Sequence, residues 1–273
     1  MLTLYIVMKL KIIQTCDATS PYKTLLEVTR HVNEQYCKRH GYAYEAFTGI
    51  KHGVHPWHAC FNRIFMFEDE IQKQEYDWIL YMDADCFVHN LDIKAADIAA
   101  EGGDVGMLFC GGAGPDCPVM YEVNSGVIFM NVRNRYADAI VKMWKAVFVS
   151  IFTDDVCQRS VIPFGLVGGP SNSIIADQGM LAQILHMYYT FGVLDNVAVK
   201  TYLGADYTKF NYDGDFIKQL LRPHCGQYGT QIEARIVAAR EQVTEIAARF
   251  GLAPLPGSTQ KPNTLVCSGF IGM

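Results

Sequence analysis

Trp78-Ile79-Leu80-Tyr81-Met82 is a continuous apolar run without alternation, and it stops abruptly at Asp83-Ala84-Asp85. A short apolar segment of this kind suits a strand covered on both faces, as in the mainly parallel sheet of an α/β protein. In an extended backbone, residues two apart point to the same side, so Asp83 and Asp85 are expected to project together while Ala84 points away. Paired carboxylates then stand at the carboxyl end of a buried strand, the edge at which open α/β sheets receive ligands.

Two like charges that lose hydration repel one another and need a compensating cation. Hard carboxylate oxygens suit Mg²⁺ or Mn²⁺, whose coordination is usually completed by water and substrate phosphates rather than by a full protein cage. The expectation is a divalent ion on Asp83 and Asp85 and a phosphate-bearing substrate. The plainer alternative is a solvated Asp-x-Asp turn.

Half of the 273 residues are hydrophobic, enough for one large α/β domain. We place that domain over residues 1–251, with a Pro/Gly/Ser-rich tail over 252–273. The net charge is −5 and no basic block occurs, which argues against a nucleic-acid partner or an anionic membrane surface. Nine cysteines, scattered without C-x-x-C pairs, suit reduced thiols in a cytoplasmic protein better than a disulfide framework or a zinc site. The apolar N-terminus is interrupted by Lys9 and Lys11 and is too short for a bilayer span, so no transmembrane segment is expected.

Strand Leu10–Thr15, a helix with Ser20 as N-cap and Pro21 in its first turn, Gly41 as its stop, and strand Tyr42–Phe47 make a βαβ start. Thr15 and Asp17, in the first βα loop, are candidates to touch a base and ribose. Asp17 and Thr19 would equally well organise the turn before the helix. His55-Pro56-Trp57-His58 reads as loop histidines packed near an aromatic ring rather than as a metal site. A helix over Ala59–Gln74 carries Arg63 in its first turns. A short helix over Leu91–Glu101 and a strand over Asp104–Phe109 follow. The Gly-rich loop from Cys110 to Asp116 lacks the Lys and Ser/Thr of a P-loop and suits a lid or acceptor loop.

Asn124-Ser125-Gly126 introduces the apolar strand Val123–Asn131. Gly126 permits close approach of backbone to a ligand, and Asn124 offers a donor and an acceptor, although a hairpin turn would use the same residues. Asn134–Ile151 is an amphipathic helix and Thr153–Ser173 an irregular insertion. Asp177 is placed as N-cap of the next helix, with Gln178 beside it. Val197–Leu203 is a late strand, and Thr230–Phe250 a helix closed by Gly251. Between them His224 is the most suggestive further metal ligand, and imidazole favours Mn²⁺ over Mg²⁺.

Ile-Leu-Tyr-Met-Asp-Ala-Asp-Cys-Phe-Val resembles the strand and Asp-x-Asp motif of retaining nucleotide-sugar glycosyltransferases of the GT-A fold. The nearest look is to the family of yeast α-galactosyl- and α-mannosyltransferases and plant xyloglucan xylosyltransferases, and to the glycogenin-like galactosyltransferases. The resemblance implies a single-domain, Rossmann-like α/β fold with a mixed, mainly parallel sheet flanked by helices. It implies that Asp83, Ala84 and Asp85 meet a UDP-sugar through Mn²⁺ or Mg²⁺, that His224 completes the metal site, and that Arg63 is aimed at the donor sugar or phosphate. It further implies that Asn124, Ser125 and Gly126 line the donor sugar, and that Asp177 and Gln178 lie beside the anomeric carbon and the acceptor hydroxyl. On the residues alone, Arg63 could instead be a surface arginine of an amphipathic helix.

The expected reaction is transfer of a sugar from a nucleotide diphosphate to a hydroxyl of a glycan, protein or small molecule, with retention. A metal-dependent nucleotidyltransferase would share the carboxylate pair but needs a basic Gly-rich loop, which Gln14-Thr15-Cys16-Asp17-Ala18 does not supply. A non-catalytic nucleotide-sugar-binding module is the rival from another class.

Overall fold

The computed structural model describes residues 8–19, 21–53, 56–112, 114–152, 177–194, 196–212, 214–220 and 228–257. The expectations for Ser20, His55, the 153–173 insertion, His224 and the tail beyond 257 lie outside the described residues.

Strand β1 (Leu10–Cys16), helix α1 (Pro21–His40) and strand β2 (Ala43–Thr48) form the expected parallel βαβ unit, with Lys11 opposite Ala43. Gly41, at φ 71°, ends α1, and the amide of Tyr42 donates back to the Cys37 carbonyl at 2.9 Å. This is the six-to-one bond of a glycine-terminated helix. The next helix is shorter than expected. Pro56–Phe61 is a 3-10 segment, and α2 proper runs over Asn62–Lys73 until Gln74 turns left-handed at φ 53°.

Strand β3 (Trp78–Asp83) lies at the centre, parallel to β1 and antiparallel to β6 (Val123–Asn131). With β5 (Met107–Gly111) and β7 (Val199–Tyr202) the sheet has the order β2-β1-β3-β6-β5-β7. Only β6 runs against the other strands of this sheet.

The apolar run is explained by cover on both faces. Trp78, Leu80 and Met82 enter a core with α1 and the last helix, α6 (Tyr228–Phe250). Ile79 and Tyr81 enter a second core with α2, α4 (Arg135–Ile151) and α5 (Asp177–Thr190). Asn134 caps α4, its side chain accepting from the Tyr136 amide at 2.7 Å.

One expectation changes here, and one pair of strands was not expected. Only Ala95–Glu101 (α3) is helical within 91–101; the turn before it is tied to α1, the Tyr36 hydroxyl donating to the Ile93 carbonyl at 2.9 Å. Past the acidic pair, Cys86–Val88 (β4) pairs antiparallel with Ile217–Gln219 (β8) in a separate two-stranded sheet. Three-residue strands carry too little periodicity to be seen in sequence.

After Gly251 the chain turns back along α1, where the Ala253 amide donates to Gln35 at 2.9 Å and Leu255 is buried. Among the described residues no helix is long and apolar enough to cross a membrane.

Candidate active site

The carboxyl ends of β1 and β3 and the start of the reversed β6 meet at one edge of the sheet, with Thr15 opposite Asp83. A fully buried glutamine fixes the backbone there. Gln14 donates to the carbonyls of Asp83 and Cys86 at 3.0 and 3.1 Å and accepts from Asn33 at 2.8 Å and Tyr44 at 2.6 Å. Asn33 in turn accepts from the Val88 amide at 2.8 Å. Each polar group is satisfied, as burial requires.

The extended fork does not form. The strand ends at Asp83, and Ala84–Asp85 is a turn that starts the chain toward β4. Ala84 packs with Cys16 and Leu26, and its carbonyl accepts from Thr29 at 2.9 Å. The two carboxylates therefore take different partners, because a turn removes the two-residue period on which the expectation rested.

Asp83 faces α2. Its Oδ1 accepts from Arg63 at 2.7 Å and from the Tyr81 hydroxyl at 2.8 Å. Arg63 is only 3% exposed, which overturns its reading as a surface residue. Its guanidinium also reaches Asp177 at 3.2 Å and donates to the carbonyls of Ser125 and of Cys60, and it lies 4.5 Å from the Tyr81 ring centroid. Burial alone would lower the Arg63 pKa, but Asp177 and Asp83 outweigh it and raise it. The Asp83 carboxyl is raised above the usual carboxylate range, by burial first and then by repulsion from Asp85 and Asp177, with Arg63 opposing. Its side chain keeps 28% exposure, so the burial effect is partial, whereas the neighbouring charges are set by geometry.

Asp85, 7% exposed, faces the other way. Its Oδ2 is bonded to Arg235 of α6, and its Oδ1 accepts from Gln219 of β8 at 3.4 Å and from the Cys86 thiol at 3.6 Å. The compensating charge expected from an ion is thus supplied, for each carboxylate, by an arginine. Arg235 and Gln219 were not foreseen.

Asn124, Ser125 and Gly126 belong to β6 and not to a hairpin turn. The Ser125 amide donates to Gln178 at 3.2 Å, and its hydroxyl to Asp177 at 3.3 Å. Asn124 accepts from the Gly126 amide at 2.6 Å and donates to Gln219 at 3.2 Å. Asp177 is the first residue of α5, with its carboxylate turned to Arg63 and Ser125, and Gln178 beside it is exposed. Arg63, Asp83, Ser125, Asp177 and Gln178 are therefore one cluster assembled from four separated segments.

Thr15 and Asp17 sit at its margin in local roles. Thr15 accepts from Asn62 at 2.8 Å, and Asp17 accepts from the Thr19 amide at 3.0 Å, the turn-organising bond. His52 stacks on Phe65 and His58 is buried beside Trp57 and Phe152, a packed aromatic corner.

The donor set has the oxygen chemistry of a Mg²⁺ or Mn²⁺ site. Among the described residues, however, no three His, Cys, Asp or Glu side chains gather around one ion position. Asp83 keeps an accessible carboxylate edge, whereas Asp85 would have to exchange Arg235 for the ion.

No protein-family model and no curated protein matches the sequence. Solved structures do. A glycosyltransferase involved in glycosylation of the major capsid of PBCV-1 superposes with a TM-score of 0.54 at 15% identity, over 85% of this chain and 99% of that one. The galactosyltransferase LgtC, in complex with donor and acceptor sugar analogues, gives 0.47 at 14% identity over 90% and 98% of the two chains. GlyE of Streptococcus pneumoniae gives 0.45 at 13% identity over 92% and 66%. The last two scores are too low to argue from. The first, with the strand order above, shows the fold: one α/β domain of GT-A type, its mixed, mostly parallel sheet flanked by helices.

Proposed function

We propose that the protein is a glycosyltransferase that moves a sugar from a nucleotide diphosphate, a UDP-sugar, to a hydroxyl of a glycan, protein or small molecule, with retention. The observation that carries this reading is the convergence of Arg63, Asp83, Ser125, Asp177 and Gln178 where the parallel strands end. A buried guanidinium between carboxylates and an exposed amide offers charge and hydrogen bonds to a polar ligand at the edge used by open α/β sheets.

In this reading Asp83, Asp85 once it has released Arg235, and His224 would hold Mn²⁺ or Mg²⁺. A bound divalent ion would stabilise the charge growing on the departing diphosphate. Arg63 keeps Asp83 and Asp177 in place and bears a fixed positive charge next to the donor. Ser125 anchors Gln178, whose side chain, together with Asp177, orients the acceptor hydroxyl and faces the positive charge developing on the sugar. Asn124 and Gly126 border the sugar, and Thr15 and Asp17 border the base and ribose. Mostly buried thiols, Cys16, Cys37, Cys86 and Cys110 among them, suit a cytoplasmic enzyme.

The test is thermal-shift and UDP-release measurement on a panel of nucleotide sugars, with and without Mn²⁺. One donor should raise the melting temperature and be hydrolysed slowly, and Asp85→Asn should lose both responses while staying folded. A chain that binds no nucleotide sugar under any metal condition is not a glycosyltransferase.

A further inference from the structure

Arg235 lies on α6, far in sequence from the Asp-x-Asp segment, yet its guanidinium is bonded to Asp85 with both side chains only 9% exposed. Its Nε donates to the Leu220 carbonyl at 2.7 Å, and Nη1 reaches the Tyr22 hydroxyl at 3.4 Å above that ring. The group is thus held at its neck, with one edge directed at the carboxylate. An ion bound to that carboxylate oxygen at about 2.0–2.1 Å would compete with the guanidinium for its lone pairs, and the two positive charges would repel. The remaining oxygen of Asp85 faces Gln219 and the Cys86 thiol.

We propose that Arg235 exchanges partners: it neutralises Asp85 while no divalent ion is bound, and when an ion takes Asp85 it turns its freed edge to the diphosphate that the ion brings. This rests on the glycosyltransferase reading above and adds a donor-binding residue to it. The Leu220 carbonyl lies beside the carboxylate, so the displaced guanidinium has a second acceptor close to the site. A planar guanidinium suits a diphosphate because it can offer two parallel donors, which a lysine cannot.

The test compares Arg235→Gln and Arg235→Lys with the wild type by calorimetric titration, first with Mn²⁺ alone and then with UDP at saturating Mn²⁺. Arg235→Gln should bind Mn²⁺ tighter by about tenfold, equivalent to about 1.4 kcal/mol, and UDP weaker by a similar factor. Arg235→Lys, which keeps the charge, should stay near wild type for Mn²⁺ and lose part of the UDP affinity. A merely structural role would weaken both ligands together, and that result, or an unchanged Mn²⁺ affinity in Arg235→Gln, overturns the proposal. If wild type binds UDP and Mn²⁺ but the two affinities fail to move in opposite directions, only the exchange is lost. If neither wild type nor variant binds either ligand, the glycosyltransferase reading fails with it.

Discussion

Arg63 stands 3.2 Å from Asp177, joining the first turn of α2 to the first residue of α5 through a guanidinium that also holds Asp83 at 2.7 Å. Its own burial is opposed first by these two charges. Arg63→Met would leave two carboxylates facing each other without a cation, and breaking a buried pair from one side costs about 3–5 kcal/mol. Urea unfolding should show a loss in that range, and Asp177→Asn in the same chain should recover part of it. Arg63→Lys should rescue poorly, because one ammonium cannot reach Asp83, Asp177 and the Ser125 carbonyl together. A loss below about 1 kcal/mol would mean that the bridge is a surface-type ion pair.

Asp83 carries the opposite expectation. Three carboxylates, Asp83, Asp85 and Asp177, meet two guanidiniums, and the Asp83 carboxyl is raised by burial and by the other two acids. Because the folded chain holds this proton more tightly than the unfolded chain, the stability it contributes is full below the ordinary value of 3.8 and declines as pH rises through the raised one. Asp83→Asn should remove that decline and leave the protein as stable as wild type, or more stable by on the order of 1 kcal/mol, at neutral and higher pH. Melting temperatures across pH 4 to about 9 check it, and parallel curves for the two proteins would sink it.

The legible part of this fold is what local periodicity encodes. Trp78–Met82 announces a strand covered on both sides, and the βαβ start, the β6 strand and the amphipathic α4 follow from spacing and caps. The site is legible as residue types in order, and less so as partners. Arg63 could not be distinguished from a surface arginine, because its burial depends on Ser125 and Asp177, which approach only through the fold. Arg235 sits in a helix rich in Ala, Glu and Arg, where nothing local separates the one arginine that reaches Asp85 from its exposed neighbours. A signal for Gln14 did exist: a glutamine inside an apolar strand must find partners, and four of them mark the site's floor. The divergence of Asp83 and Asp85 was hidden because whether a strand continues through two more residues is decided by the β4–β8 pairing.

Gln178 separates catalysis from architecture. It is exposed, and its side chain accepts from the Ser125 amide at 3.2 Å, a bond whose loss costs about 0.5–1.5 kcal/mol. Gln178→Ala should therefore unfold near the wild-type denaturant midpoint. If the amide orients the acceptor, turnover should fall by about tenfold to a hundredfold while affinity for the donor stays the same. Matched measurements of donor affinity and turnover decide between the roles, and wild-type turnover would leave Gln178 as a tie between β6 and α5.

Gly126 and Gln219 are in closer contact than any other residue at position 126 would allow. A methyl group there would lie 2.2 Å from the Gln219 side-chain nitrogen, the far end of a flexible chain rather than backbone. Gly126→Ala should thus expel the Gln219 amide from its contacts with Asn124 and Asp85 and cost about 1–3 kcal/mol, without breaking the β6 pairing. Gln219→Ala removes the clash in advance, so adding Gly126→Ala to it should cost little, and a double-mutant cycle on urea unfolding should give a coupling of at least about 0.5 kcal/mol. Additive effects would mean that Gln219 does not pack on the glycine. The same cycle bears on the Asp85 environment, because a Gln219 displaced by the new methyl leaves Arg235 as the principal partner of that carboxylate. Gly126→Ala should then leave the Arg235 contact intact, and replacing Arg235 should change the divalent-ion affinity of the variant in the direction proposed for the parent protein.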